Sequence, residues 1–143
     1  MPVVVGPGSC HPSIPSDVGF INKLWKLDDP HMLPILGIRL GFQSPSLSHG
    51  AEVKKLRRAC HGIVGRVPHS GSNIFAGISD LDATQYRSPG VDLGGVQKGL
   101  SDAEHAFWGP TEKCPSLQPL AWDSSDEING PILMRLRHTT KPF

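Results

Sequence analysis

Tyrosine occurs once among the 143 residues and cysteine three times, while Glu and Lys supply only four and seven positions. So few Glu and Lys argue against long self-supporting helices, because these side chains are the usual exposed helix formers. Three cysteines cannot pair completely within one chain, which excludes a disulfide-stapled scaffold and predicts free thiols in a reducing compartment. Long apolar runs are missing too: the longest, 33–42, contains Pro34, Gly37, Arg39 and Gly41 and has about half the ~20 residues that span a bilayer. Residues 1–7 carry no basic side chain and only three consecutive valines before Gly6, unlike a secretory signal. The expectation is an intracellular protein, cytoplasmic or nuclear, without a transmembrane segment.

What is abundant is Gly, Pro and Ser, at 16, 14 and 14 residues, a proportion at which partial disorder becomes a live reading. The 37 Leu, Ile, Val and Phe residues nevertheless suffice for a small core. A net charge of +1 conceals two halves: residues 39–69 hold six Lys/Arg against one acid, and residues 79–130 hold nine acids against three bases. Such halves attract each other or direct partners.

Periodicity predicts a helix over 17–27, with Val18, Phe20, Ile21, Leu24, Trp25 and Leu27 on one side and Ser16 as its cap. Alternation predicts a strand over 35–42. Residues 51–64 read as a second helix, with Val53, Leu56, Cys60, Ile63 and Val64 inward and a basic outer face. Ile74–Ile78 and Ile132–His138 read as short strands, and Ser101 with Glu104 forms a capping-box pattern opening a third helix. The fold class expected is a small α+β protein of short helices and strands with a large irregular or partly disordered fraction. Its expected parts are a disordered segment 1–15, an α+β core 16–78, and a loop-rich acidic region 79–143 with a short helix and a C-terminal strand.

Among motifs, Cys10-His11 and Cys60-His61 pair zinc-preferring ligand types, but adjacent residues do not wrap an ion, so no metal site and no cofactor is assigned. Lys54, Lys55, Arg57 and Arg58 form a compact cationic cluster suited to an acidic protein surface or, alternatively, to nucleic acid. Ser44-Pro45 and Ser88-Pro89 match proline-directed phosphorylation sites, Ser44 lying beside the basic segment. No Gly-x-Ser-x-Gly elbow and no phosphate-cradling glycine loop occurs, and no catalytic residue is assigned.

Residues 3–11, Val-Val-Val-Gly-Pro-Gly-Ser-Cys-His, together with Trp25-Lys26 and Asp29-Pro30-His31-Met32, resemble two segments of microbial DAHP synthases. That resemblance implies a barrel and a metal-binding cysteine. Gly8 stands where that family places its metal-ligand Cys, the two segments lie too close together, and a complete barrel needs at least ~200 residues. No active-site residue carries over. The function expected from the sequence is that of a non-enzymatic interaction or regulatory protein acting through short amphipathic segments. Alternatives are a small metal- or phosphate-dependent enzyme domain using His and Cys, and a nucleic-acid-associated protein using 51–64.

Overall fold

The computed structural model describes residues 1–8, 11–28, 30–79, 81–95 and 108–143. Three two-stranded sheets dominate them. Strand β1 (Val3–Val5) pairs in parallel with β2 (Ile35–Gly37), and parallel pairing requires a crossover. The crossover carries two single helical turns, α1 (Pro15–Val18) and α2 (Ile21–Leu24). After β2 comes α3 (Leu40–Ser48). A long antiparallel ribbon follows, β3 (Glu52–Val67) with β4 (Leu81–Asp92), joined through the short 3-10 turn Asn73–Phe75. The hairpin β5 (Leu117–Asp123) with β6 (Ile132–His138) completes the order.

The core lies where the ribbon meets the hairpin. Val91 and Leu93 from the end of β4, Trp122 from β5 and Leu133 and Leu136 from β6 are all buried together, with Phe42 of α3 packed against them. The C-terminal residues return to β2: Ile35 N–H donates to the Pro142 carbonyl at 2.8 Å, and the Phe143 ring meets the edge of Trp25. Trp25 is buried, and its indole N–H donates to Ser44 Oγ at 2.7 Å, so α2 is tied to α3.

The expectation of an α+β chain with a large disordered fraction is corrected here: strands predominate and the helices are few and short. The largest change falls on 51–64, a strand instead of a helix. Gly62 and Gly65 weaken any helix there, β-branched Val53, Ile63, Val64 and Val67 favour extended backbone, and β4 supplies a partner over most of its length. Only Cys60 of the five expected inward residues is fully buried; Ile63 and Val64 are exposed. Residues 81–92 carry Asp82, Pro89 and Gly90, which disguise a strand. Pro89 is tolerated because a two-stranded ribbon is all edge, and a missing N–H there leaves no central ladder broken.

The strand expected over 35–42 ends at Gly37 and turns into a helix. The helix expected over 17–27 breaks at Gly19, whose φ is +54°. Residues 3–5, expected to be disordered, form a strand, and Asn73–Phe75 is helical where a strand was expected. Ile132–His138 is a strand as read. The Ser101–Glu104 capping box and Cys10 lie outside the described residues.

Candidate functional site

The turn from β2 into α3 is the most constrained backbone in the chain. Gly37-Ile38-Arg39-Leu40-Gly41 reverses direction within two residues, and Arg39 at its apex has φ 53° and ψ −107°. A positive φ costs a non-glycine residue on the order of 1–3 kcal/mol and persists only where the surroundings enforce it. The flanking glycines show how. A Cβ on Gly37 would collide with the Gly41 carbonyl, and one on Gly41 with the Val5 carbonyl. The helix start is thereby pressed against both parallel strands, and Ile38 N–H donates to Val5 O at 2.9 Å. This is the strand–turn–helix elbow that exposes a reactive side chain at the end of a sheet in hydrolytic enzymes. A search for Gly-x-Ser-x-Gly passes over it because Arg39 stands where the Ser would be.

Beside the elbow lies a cavity of about 570 Å³, walled by β2, α3, β4 and β6. Three arginines line it, Arg39, Arg87 and Arg135, and no acidic residue does. Arg39 is exposed and reaches across to donate to the Tyr86 carbonyl at 2.6 Å. Arg87 is largely buried, with its side chain 15% exposed, and pairs with buried Asp123 at 3.2 Å. Gln85 donates to the same carboxylate and accepts from Arg87. Burial lowers the pKa of Arg87, with the charges of Asp123, Cys60 and Asp126 working against that shift. Arg135, half-buried, donates from Nη1 to the Gly37 carbonyl at 3.2 Å, and its buried Nε has no acceptor among the described residues. Burial lowers its pKa as well, with no carboxylate to offset the shift. A guanidinium is deprotonated only far above neutral pH, so both remain cations.

The residues singled out from the sequence lie elsewhere. Lys54 is exposed on β3 and pairs with Glu52 at 2.9 Å and Asp92 at 2.8 Å, which raises its pKa. Arg58 reaches Asp126 at 3.4 Å, and Lys55 and Arg57 are exposed on the same strand. The basic segment therefore meets the acidic half of the chain through Asp92 and Asp126. Ser44 is fully buried, accepting from Trp25 and donating to Asn22 Oδ1 at 2.8 Å, so a kinase reaches it only if α3 opens. Ser88 is half-buried on β4, 3.2 Å from His61 Nε2.

Cys60 is buried and donates to Asp126 at 3.3 Å; burial and then Asp126 push its thiol pKa up, which makes it a poor nucleophile. Burial would raise the Asp126 carboxyl, but hydrogen bonds from Asn129, Cys60 and Ile128 N–H outweigh it and hold that group well below the usual range. His61 stacks on Tyr86 instead of joining Cys60. Among the described residues no group of three or more His, Cys, Asp or Glu side chains could hold a metal ion, and no helix is long and apolar enough to cross a membrane.

A strand–elbow–helix facing a cavity defines an enzyme-type α/β site. Residues 1–112 match the model of the family "Glutamine amidotransferase class-I", and the chain belongs to that family. It is 40% identical over 141 residues to the putative aminodeoxychorismate synthase of Schizosaccharomyces pombe and 31% identical over 142 residues to the aminodeoxychorismate synthase of Streptomyces griseus. Those matches cover 98% and 99% of this chain but 16% of each relative. Anthranilate synthase component 2 of Pseudomonas putida is 30% identical, with 96% of this chain and 60% of that protein covered. The fold is similar to that of a GMP synthase subunit from Thermoplasma acidophilum, with a TM-score of 0.65 at 20% identity, over 99% of this chain and 58% of the other. The chain thus spans about a sixth of the aminodeoxychorismate synthases that it matches.

Two expectations fall with this result. Membership of an enzyme family overturns the reading as a non-enzymatic interaction protein, and the DAHP synthase resemblance is superseded: Val3–Val5 is an edge of the sheet that buttresses the elbow.

Proposed function

We propose that this chain is the amidotransferase-family domain of an aminodeoxychorismate-synthase-type enzyme, and that it works beside a synthase component that carries the amination. The observation that supports this reading is the elbow at Arg39 facing a cavity large enough for an amino-acid-sized ligand, in a chain whose relatives are synthases of this kind. An intracellular location fits those relatives.

Residue 39 sets how nitrogen is supplied. A nucleophile at an elbow must carry a lone pair at neutral pH, and a guanidinium does not. No covalent intermediate forms on residue 39, so amination by the assembled enzyme draws on ammonium and not on glutamine processed at this elbow. The exposed Lys55 and Arg57 of β3 are the proposed contact with an acidic face of the synthase component; Lys54 and Arg58 flank them but are already engaged within the chain. The test is product formation by the chain combined with its synthase component. Ammonium should support synthesis and glutamine should not; glutamine-supported synthesis that vanishes when the chain is left out would refute the reading.

A further inference from the structure

We propose that the elbow cavity is a receptor for a small dicarboxylate, with Arg39 and Arg135 as the carboxylate-binding residues. The inference rests on the reading above only in taking this cavity as the domain's ligand site.

Charge in the cavity carries the argument. Of the three guanidinium groups that line it, Arg87 is neutralised by Asp123 behind the wall. Arg135 has no acidic partner among the described residues, and its Nε–H is buried without an acceptor. A half-buried cation in that state is costly unless an anion completes it. Arg39 spends one of five donors on the Tyr86 carbonyl and presents the others at the cavity mouth. The start of α3, a helix of nine residues, adds the positive end of its dipole to the same side.

Two uncompensated cations call for two negative charges. Planar guanidinium forks match carboxylates two bonds at a time, which favours a dicarboxylate over a compact single anion. An added ammonium group would meet a cavity without an acidic lining residue, so an amino acid is a weaker ligand than the corresponding simple diacid. Glutamine, with one carboxylate, one ammonium and a neutral amide, fits worst. Apolar walls from Leu36, Phe42, Val91 and Leu133 suit the short hydrocarbon between the two carboxylates.

Calorimetric titration of the full 143-residue chain with glutarate, glutamate, glutamine and inorganic phosphate at constant ionic strength tests this. Glutarate should bind about tenfold or more tighter than glutamine and phosphate, with glutamate between. Arg39→Gln should weaken glutarate by a similar factor and leave glutamine unchanged. Arg39→Gly provides a second variant, because glycine adopts the positive φ without strain and keeps the fold. Equal or tighter binding of glutamine or phosphate, or glutarate affinity indifferent to both variants, overturns the proposal. Neither result depends on the amination assay, so the two readings fail separately.

Discussion

Ser44 shows how a residue's surroundings change the meaning of a motif. Next to Pro45 in the sequence it looks like a modification site, yet in α3 its hydroxyl joins Trp25 to Asn22 inside the protein. Ser44→Ala should cost about 1–3 kcal/mol by stranding the buried indole N–H, and Ser44→Glu should cost more, because a buried carboxylate there would meet no cation. Chemical denaturation of both variants checks the order; equal midpoints for Ser44→Glu and the parent would show that α3 is not packed as described. A second residue sets a pH dependence. His138 Nδ1 accepts N–H bonds from Thr140 at 3.2 Å and Lys141 at 3.0 Å, so protonation of that nitrogen would break both. Burial, then the neighbouring charges of His49 and Lys141, lower its pKa to about 4. The unfolded chain takes up the proton near pH ~6.5 and the folded one only near 4. Stability from this group is therefore complete above ~6.5 and is lost as pH falls towards 4. Denaturation midpoints measured between pH 7 and 4 should fall, and His138→Gln should flatten that slope.

At the scale of elements, β3 and β4 decide how much of the fold could be read beforehand. Five residues of 53–64 fit a helical arc, and the arc is an accident of a ribbon with two register shifts, at Lys55/Cys60 and His61/Ile63, each of which moves side chains from one face to the other. A strand that pairs along 16 residues with an irregular partner leaves no clean alternation to detect. Its partner was hidden by Pro89 and Gly90, which a central strand would reject and an edge tolerates. By contrast, β6 alternates regularly and was legible. Hydrogen exchange distinguishes the two accounts of 81–92: its ladder-bonded amides should exchange much more slowly than those of Gly94 and Gly95, whereas uniform fast exchange would restore the irregular segment. The elbow was half legible. Its glycines were visible at 37 and 41, but their purpose, close approach of Gly41 to Val5 and of Gly37 to Gly41, appears only when β1 is in place.

At the scale of the whole molecule, the basic and acidic halves do meet, through Lys54 with Asp92 and Arg58 with Asp126, but the chemistry lies away from that seam. The cavity gathers Arg39, Arg87 and Arg135 from positions up to 96 residues apart in sequence. No spacing rule joins them, because an elbow, an antiparallel ribbon and a C-terminal hairpin each contribute one. The central claim is that Arg39, seated where an elbow enzyme keeps its nucleophile, binds an anion instead. Nitrogen-15 NMR of the arginine side chains, with the Arg39 Nε–H resonance assigned by its loss in Arg39→Gln, measures this directly. Addition of glutarate should shift that resonance in a saturable way and glutamine should not; an Arg39 signal unmoved by glutarate, or moved equally by glutamine, would contradict the claim.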